Sequence, residues 1–592
     1  MIIPIRLSAA EDVAWCAPMS RPALLTVLAF TTVVSAAVAC GSSRKDYGDD
    51  PSQTGQSPTD PAAGLGGGPG DPAGTDPTTS CEQAKADRST MGCEFYAVPP
   101  DSLTITRGAC FAAFLVNTSN QVVDVTVDRG GQTLDVSKFA YVPEGSGAGL
   151  KYAPLTGSLG GGQVAILFLS RSGSTACPAG TNPAVTQLAS VTGTGRGAAF
   201  RIATSAPVVA YDIYPYGGGA SALTSATLLL PTSAWDKNYV GVAGYKKSTV
   251  VAEDQPTLSI VAAEDDTTVT INPTAAIVGK SGSVDAAPKG APKTYPLGRG
   301  QILQFVQDAE LTGSAIASDK PIGVWGGSIC ASIPASQDSA CDTVHQQLPP
   351  VRAMGSEFAG VRYRNRFDGK EESPPWRLVG AVDGTKLTWE PTKPIGAPDT
   401  LSQGQVVELS SPGGWVVKSQ DKNHPFYLSA HMTGWGTVST AGDNRGDPES
   451  VNVLPTAQFL KSYVFFTDPT YPETNLVIVR QRSDKGFEDV ELDCAGVLGG
   501  WQPLGTAGAY EYTRVDLVRG NFQKQGGCDN GRHAIKSAGL FGLTVWAWGS
   551  AATGGSAFGG GSGFFTQAVS YAYPAGGSLK PINDVVVSTG PK

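Results

Sequence analysis

The sequence is poor in charge and in the side chain that most often exchanges protons near neutral pH. Only 16% of its 592 residues are Asp, Glu, Lys or Arg, against about 25% in an ordinary soluble domain. It has four histidines, and its formal net charge is −9. Because the chain has no basic excess to hold a phosphate backbone, we expect no nucleic-acid partner.

Local catalytic motifs are also missing. The chain has no H-E-x-x-H zinc motif, no G-x-S-x-G nucleophile turn and no G-x-x-x-x-G-K-[ST] phosphate loop. We therefore predict no catalytic residue, no cofactor and no metal site, and a protein that is not an enzyme. The carboxylate pair of a glycosidase has no fixed sequence spacing, since its separation exists only in three dimensions. A secreted carbohydrate-active enzyme using paired carboxylates remains an alternative.

The N-terminal segment reads as an export signal. An apolar run from Pro22 to Ala39 follows Arg21 and ends at Cys40, and it is too short to predict a membrane span. The sequence around Cys40 resembles the lipobox of bacterial lipoproteins, in which the cysteine carries the lipid. We predict a signal peptide over 1–39, with translation starting at Met1 or at Met19, and lipidation of Cys40. The predicted location is the bacterial cell envelope, at the outer membrane or cell surface. The alternative is an ordinary secretory signal and a secreted protein.

Residues 40–80 contain almost no aliphatic side chains and consist mainly of Gly, Pro, Ser, Thr and Asp. Such a segment buries too little surface to offset its ordering entropy, so we predict a disordered tether. With a lipid at Cys40, its root-mean-square reach would be roughly 35 Å.

An even set of cysteines lies beyond the leader and Cys40. The eight are Cys81, Cys93, Cys110, Cys177, Cys330, Cys341, Cys494 and Cys528. An even count in an exported chain favours disulfides, and no pair has C-x-x-C spacing. Local spacing favours the pairing of sequence neighbours, although eight cysteines allow 105 connectivities.

The region 81–592 repeats itself. Four phrases recur in the same order: an apolar strand, a polar turn and an alternating strand; a Gly-Gln pair before apolar residues; a Pro inside a β-rich stretch; and a Leu-Pro phrase followed by an aromatic residue. Pro207, Pro321 and Pro425 mark a period of about 110 residues. We predict approximate copies at 95–250, 251–370, 371–470 and 471–580, and we interpret the strand-turn-strand phrase of each copy as a β-hairpin.

The predicted fold class follows from these copies. No segment shows a sustained 3.6-residue pattern, so the protein is expected to be all-β. Each copy is large enough for a β-sandwich, whereas one propeller blade takes about 40–50 residues. We therefore predict a tandem of about four β-sandwich-like modules after the tether, with a β-propeller-like arrangement as the alternative.

Several local patterns have a structural and a functional interpretation. GTGRG at 193–197 is interpreted as a turn rather than a nucleotide loop, because a strand-like sequence follows it. Cys341 with His345 is interpreted as half of a disulfide rather than a metal site. An acidic group could hold calcium but is typical of hairpin tips: Asp254, Glu264, Asp265 and Asp266. Five aromatic residues could anchor a ligand, but core packing is the favoured reading: Tyr211, Tyr214, Tyr216, Trp546 and Trp548.

Longer phrases resemble a known family. ATLLLPTSAWDKNYV, VAAEDDTTVTI, LTGSAIASDKPIGVWGGSIC and CDTVHQQLPPVRAMGSEF are similar to the N-terminal domain of the IgG Fc-binding protein family. Similar domains occur in exported bacterial proteins, many of them lipoproteins of myxobacterial type, and the likeness spans roughly 95–575. It implies a surface module that binds an extracellular protein or glycan, but it identifies no binding residues. The predicted function is binding or adhesion, with a purely structural envelope protein as a further alternative.

Overall fold

The structure, a computed structural model, describes residues 80–590 apart from 147–148, 174–176, 218–222, 337–340, 439–443, 551–553, 556–564 and 567. The predicted signal peptide, Cys40 and nearly all of the tether lie outside these residues. The one α-helix of the described residues is α1 (Cys81–Asp87), which begins where the Ser80 side chain accepts a hydrogen bond from the Gln83 N–H and ends at Arg88 in the left-handed conformation. No described helix is long and apolar enough to cross a membrane.

The first module is a nine-stranded antiparallel sheet. The strands, in chain order, are β1 (Gly92–Ala97), β2 (Phe111–Asn117), β3 (Val125–Arg129), β4 (Gln132–Leu134), β5 (Ala140–Glu144), β6 (Lys151–Pro154), β7 (Val164–Ser170), β8 (Gly195–Ala198), β9 (Phe200–Tyr214) and β10 (Ser225–Leu229). Of these, β8 belongs to the second sheet, and the long strand β9 pairs with β1 and β3 along its first half and with β2 and β10 along its second.

The second module repeats this plan around a strand of 17 residues. Its strands are β11 (Asp236–Val240), β12 (Pro256–Ala262), β13 (Thr267–Asn272), β14 (Lys293–Leu297), β15 (Gln301–Val306), β16 (Ala315–Ala331) and β17 (Asp342–Gln347). The first half of β16 pairs with β11 and β13, and its second half pairs with β12 and β17.

The third module divides the same plan between two four-stranded sheets. Its strands are β18 (Glu357–Val361), β19 (Pro375–Gly380), β20 (Thr385–Glu390), β21 (Thr400–Leu401), β22 (Val406–Ser410), β23 (Gly413–Ser419), β24 (Phe426–Met432) and β25 (Glu449–Asn452). Here two strands replace the long one: β23 pairs with β18 and β20, and β24 pairs with β19 and β25. Trp376 of β19 packs against Trp415 of β23 with ring centroids 4.8 Å apart, so the two sheets share one core.

The fourth module returns to a nine-stranded sheet around a long strand. Its strands are β26 (Leu460–Thr467), β27 (Glu473–Gln481), β28 (Val490–Leu492), β29 (Gly496–Val497), β30 (Gln502–Leu504), β31 (Tyr510–Arg519), β32 (Gln523–Lys524), β33 (Gly531–Trp548), the short parallel pair β34 (Gly554–Gly555) and β35 (Phe565–Thr566), and β36 (Ser570–Pro574). The prediction of an all-β tandem of sandwich-like modules is confirmed; none of the described modules is a single propeller blade.

The strand-turn-strand phrases are not hairpins, and that prediction is wrong. β12 and β13 both pair with β16 but not with each other, and the corresponding strands β19 and β20 lie in different sheets. The burial patterns explain the difference. β12 is buried at six of its seven positions, whereas β13 alternates, because the intervening turn carries the chain from one layer of the module to the other.

The prolines mark a bulge in the long strand. β1 shifts register against β9 between Gly92 and Glu94, opposite Pro207, and β11 shifts against β16 opposite Pro321. Proline lacks the N–H that a ladder needs and is tolerated in a sheet at such a bulge. In the third module, Pro425 lies where the strand is broken altogether.

The Gly-Gln phrase forms the same turn in three modules. The side-chain oxygen of Gln163 accepts a hydrogen bond from the Gly160 N–H at 2.9 Å. The side-chain oxygens of Gln301 and Gln405 likewise accept a hydrogen bond from the backbone N–H three positions earlier in the chain. The preceding glycine has a φ between 69° and 76° in each case, a conformation that other residues rarely adopt. The phrase therefore recurs because it starts an equivalent strand.

The last strands of the four modules lie next to one another. β10 lies beside β17 and β36, and β25 lies beside the same two strands, so the four close a ring that we name the central strands. Side chains and backbone join them: the Gln347 N–H donates to Thr227 Oγ1 at 2.9 Å, and Asn452 Nδ2 donates to the Gln347 carbonyl at 2.7 Å. After β36 the chain runs back over the first module, where the Leu579 N–H donates to the Arg88 carbonyl.

Four disulfides lie within the modules. They join Cys81 to Cys93, Cys110 to Cys177, Cys330 to Cys341, and Cys494 to Cys528. Each bond joins cysteines that are neighbours in the sequence, which is the pairing that local spacing favours.

Candidate functional site

A polar cleft of about 520 Å³ lies where the third and fourth modules meet. Four arginines line it, and we name it the arginine cleft. The lining residues are Arg362, Arg364, Asn365, Asp368, Gly369, Glu371, Pro412, Gly413, Gly414, Tyr512, Arg514 and Arg519. In a chain with a net charge of −9, this concentration of guanidinium groups is a local exception.

Strand geometry places the arginines. Tyr512 and Arg514 are two residues apart on β31, so their side chains project from the same face. Arg362 and Arg364 directly follow β18. Gly413 has φ +82°, and a Cβ there would lie 2.9 Å from the Gly360 carbonyl oxygen, so only glycine lets β23 start this close to the arginine segment.

Arg364 joins the two modules. Its Nε donates to Asp516 Oδ1 at 2.7 Å, its Nη2 donates to Glu473 Oε2, and its guanidinium lies 4.7 Å from the Trp548 ring centroid. The side chains of Arg364, Glu473 and Asp516 are 12%, 1% and 15% exposed. This largely buried ion triplet fixes β31 against the segment that follows β18.

A second buried pair stiffens the same segment. The Arg366 backbone N–H donates to Glu372 Oε1 at 2.7 Å, and its Nε and Nη2 both donate to Glu372 Oε2 at 3.0 and 2.8 Å. Arg366 is fully buried. The chain between these residues therefore forms a closed loop that presents Asp368 and Glu371 at the rim of the cleft.

The rim acids are ion-paired. Arg362 Nη2 donates to Glu371 Oε1 at 2.6 Å, and Arg519 Nη2 donates to Asp368 Oδ1 at 2.5 Å. Burial raises the pKa of Glu371, but hydrogen bonds from Asn365 and Arg362 outweigh it and hold that pKa below its usual range. A glycosidase acid needs a raised pKa, so this carboxylate is set to accept hydrogen bonds and not to donate a proton.

Arg514 is different from the other three. Its Nε donates to the Arg362 carbonyl at 2.8 Å, and no carboxylate among the described residues forms an ion pair with it. Its guanidinium lies 5.1 Å from the centroid of the Tyr512 ring. Burial is the main cause that lowers the pKa of Arg514, and the neighbouring charge of Arg362 lowers it further. Arginine stays charged even so, and the nearby Glu371 carboxylate, which is ion-paired with Arg362, favours that charge without forming an ion pair with Arg514.

This arrangement suits an anionic group. A guanidinium presents a planar set of donors that matches a carboxylate or sulfate in a two-point contact. Tyr512 adds an aromatic face against which the rest of a ligand can pack. The cleft can therefore bind and orient an anion, and its own acids are already paired with arginines.

The sequence-predicted candidates do not lie in this cleft. Gly195 and Arg196 of the GTGRG segment are part of β8, which pairs with β15, so the turn leads into a strand. His345 lies on β17, buried, and Cys341 is in its disulfide. All five aromatic candidates are buried in the core, as the favoured reading predicts.

The acidic candidates are separated by a strand. Asp254 precedes β12 and is buried, where it accepts hydrogen bonds from the Ser248 N–H and from Ser328 Oγ, and burial raises its pKa to about 6. Asp265 and Asp266 follow β12 in an exposed turn. A seven-residue strand spans about 20 Å, so these carboxylates do not form one calcium site.

One group of possible metal ligands is already used. Asp493, Cys494 and His533 lie close together, but Cys494 is bonded to Cys528. His533 Nδ1 lies 3.0 Å from Asp493 Oδ1, and its Nε2 lies 2.7 Å from the Asp529 carbonyl oxygen. Both ring nitrogens are hydrogen-bonded within the protein, which favours a structural role.

The fold and cleft define an all-β, disulfide-bonded protein of repeated modules with a polar cleft lined by four arginines. Comparison with known proteins gives the family. The profile of the family described as IgGFc binding protein matches residues 225–547, more than half of the chain and all of the arginine cleft. The chain belongs to this family, which is a family of binding proteins and not of enzymes.

Among curated proteins, the IgGFc-binding protein of Homo sapiens is 24% identical over 222 residues. The matched segment covers 36% of this chain and 4% of the human protein, so the likeness concerns a small part of that relative. No solved structure matches the chain.

Proposed function

We propose that this chain is an exported, lipid-anchored protein of the bacterial cell surface, whose arginine cleft binds a carboxylate or sulfate group on an extracellular protein or glycan. The observation that carries the proposal is Arg514, a partly buried cation that lines a polar cleft and has no ion-pair partner among the described residues. Family membership supports protein binding in general.

Binding is favoured over hydrolysis by the state of the acids in the cleft. Asp368 and Glu371 are both bonded to arginines, and the pKa of Glu371 is lowered rather than raised. A retaining or inverting glycosidase needs one carboxylic acid that is protonated near its working pH. The carbohydrate-active alternative is therefore less well supported than the binding function.

The ligand class is tested by probing glycan and protein arrays with the chain from Gly41 onward. We expect specific signals from ligands that carry carboxylates or sulfates, and the glycan and protein arms separate the two sources. Loss of a two-point charged contact costs about 1.5–3 kcal/mol, so Arg514→Gln should weaken binding roughly tenfold or more. Arg352→Gln removes an arginine outside the cleft, half exposed and 3.9 Å from Asp236, and serves as the matched control.

Two array results would contradict the proposal. A clean array would leave the purely structural alternative standing. A hit that Arg514→Gln leaves unchanged would place binding elsewhere on the protein.

Anchoring is tested separately in cells. Metabolic labelling with a fatty-acid analogue should mark the wild-type chain and not Cys40→Ser, and protease added to intact cells should digest the folded region. A labelled Cys40→Ser chain would refute lipidation at this residue.

A further inference from the structure

Asp368 lies at the tip of a tight turn on the rim of the arginine cleft. The Lys370 N–H donates to the Phe367 carbonyl at 3.3 Å, so Asp368 and Gly369 are the two central residues of the turn. Gly369 has φ +73°, a conformation that favours glycine at the second central position. The turn therefore places the Asp368 carboxylate where it meets Arg519.

The backbone of this turn is fixed on both sides. The Arg366–Glu372 pair closes the loop around it. The Arg445 guanidinium lies 4.6 Å from the Phe367 ring centroid, and Lys370 Nζ donates to the Val438 carbonyl at 2.7 Å. Asp368 can therefore leave Arg519 by rotation of its side chain alone, without movement of the loop.

Asp368 is held more weakly than the other acid of the rim. Its side chain is 87% exposed, and the one hydrogen bond that it accepts from the described residues comes from Arg519. Glu371 accepts hydrogen bonds from both Arg362 and Asn365. An exposed ion pair contributes little to stability, because water solvates the separated charges well. An incoming anion can therefore replace Asp368 at Arg519 at low cost.

A bulge in β31 turns Arg519 to the same face as Arg514. The register against β27 shifts between Asp516 and Val518, so Leu517 is an extra residue. Leu517 and Val518 are both fully buried in one core cluster, whereas consecutive residues of a regular strand point to opposite faces. Arg519 Nη1 accordingly lies 3.5 Å from Asp516 Oδ2, and both side chains lie on the cleft side of the strand.

The two arginines are spaced for two anionic groups. With the bulge counted as one position, they are four strand positions apart, which places their Cα atoms roughly 13 Å apart. Arg514 has no ion-pair partner among the described residues, and the Asp368 partner of Arg519 is displaceable. One face of β31 therefore offers an open position for an anion and a second position that a carboxylate of the protein occupies.

A second pocket, of about 230 Å³, adjoins the cleft at Glu371, which lines both. Three hydroxyl groups and a proline ring contribute to its wall: Ser373, Ser410, Thr437 and Pro375. Hydroxyl groups both donate and accept hydrogen bonds, as the hydroxyls of a sugar do. This lining favours a glycan over a peptide as the body of the ligand.

We propose that the arginine cleft binds an acidic glycan through two sulfate or carboxylate groups, one at Arg514 and one that displaces Asp368 from Arg519. Asp368 is then an internal anion that fills the second position until the ligand arrives. This inference rests on the proposed function, because it takes the arginine cleft as the binding site.

The test uses the chain from Gly41 onward and two synthetic tetrasaccharides with the same neutral backbone. One carries a single sulfate, and the other carries a sulfate on its first and on its last sugar. A peptide with two sulfated tyrosines is the protein arm. Affinities are measured by calorimetry. We expect the doubly sulfated tetrasaccharide to bind about tenfold more tightly than the singly sulfated one, as a second charged contact provides, and more tightly than the peptide.

Three variants separate the two positions. Asp368→Asn should raise the affinity for the doubly sulfated tetrasaccharide by up to about fivefold, the factor that an exposed ion pair represents. Arg519→Gln should weaken that binding about tenfold and leave the singly sulfated probe unaffected, and in this background Asp368→Asn should have no effect. Asp399→Asn is the matched control, because Asp399 is 78% exposed, pairs with Lys393 at 2.7 Å and does not line the cleft. It should leave both affinities unchanged.

Four results would overturn the inference, and they differ from failure of the proposed function. Equal binding of the two tetrasaccharides, still lost in Arg514→Gln, would retain the proposed function and exclude a second anion position. Wild-type affinities in Arg519→Gln would exclude that residue. Equal gains from Asp368→Asn and Asp399→Asn would indicate an effect of net charge instead of displacement. Tighter binding of the peptide would assign the ligand to a protein. A wild-type chain that binds none of the three probes would refute the proposed function and this inference together.

Discussion

Removing Arg364 should destabilise the protein far more than an average surface substitution. Arg364 is the shared cation of Glu473 and Asp516, and Glu473 is only 1% exposed. Arg364→Ala would leave Glu473 with the Gly520 N–H as its remaining hydrogen-bond donor, at 2.7 Å from Oε1. Breaking a buried pair by removing one partner typically costs about 3–5 kcal/mol, because the other charge stays buried without compensation.

The measurement is equilibrium unfolding in urea, followed by tryptophan fluorescence. Lys536→Ala is the control, since Lys536 and its partner Glu491 are 58% and 51% exposed, and an exposed pair is worth about 1 kcal/mol or less. Arg364→Met combined with Glu473→Gln should recover most of the stability, because neither charge then remains buried. If the free energies of unfolding of Arg364→Ala and of the Lys536→Ala control differ by less than about 1 kcal/mol, the assignment of this triplet as a stabilising contact between modules is wrong.

Two further predictions concern disulfides and acid. Replacing Cys110 and Cys177 by serine should lower the free energy of unfolding by about 4 kcal/mol, and replacing Cys330 and Cys341 should lower it by about 3 kcal/mol. The difference arises because the first bond closes a span of 67 residues and the second a span of 11. Urea unfolding measures both variants, and a larger loss for the Cys330 and Cys341 variant would contradict this reasoning. His431 is fully buried, and burial, with the nearby charge of Arg377, lowers its pKa to about 4, so the unfolded chain binds a proton that the folded chain does not as the pH falls below about 6.5. Wild type should therefore lose about 1.4 kcal/mol per pH unit more than His431→Gln between pH 6.5 and 4, and equal slopes in urea unfolding across that range would contradict this.

Much of the fold follows from local pattern. The alternation of Val269 and Ile271 predicts a half-buried strand, and both residues are fully buried on β13. The repeated Gly-Gln phrase predicts a repeated element, and the structure shows the reason in the bond from the glutamine side chain to the turn. These signals are local, so the sequence displays them directly.

Strand partners were harder to predict. A turn of Asp-Asp or Asp-Gly between two β-rich runs is compatible with a hairpin and with a crossing between layers, and periodicity does not distinguish them. The contrast between the continuously apolar β12 and the alternating β13 is a signal that could have done so, since strands of one flat hairpin usually share the same exposure.

The arginine cleft could not be predicted from spacing. Arg362 and Arg514 are separated by more than a hundred positions in the chain, and the Arg514 Nε contacts the Arg362 carbonyl only because two modules meet there. In the sequence, nothing distinguishes the four cleft arginines from arginines that are exposed to solvent. What distinguishes Arg514 is the lack of an ion-pair partner among the described residues, which is a property of three-dimensional packing.

The central strands impose an order on synthesis. The ring needs β36 beside β10 and β25, and β36 is made more than three hundred residues after β10. During synthesis, the apolar face of β10 therefore stays uncovered until its partner strands have been synthesised. We expect early modules to hold partly formed cores, open to proteases and chaperones, until the fourth module arrives and all four close together.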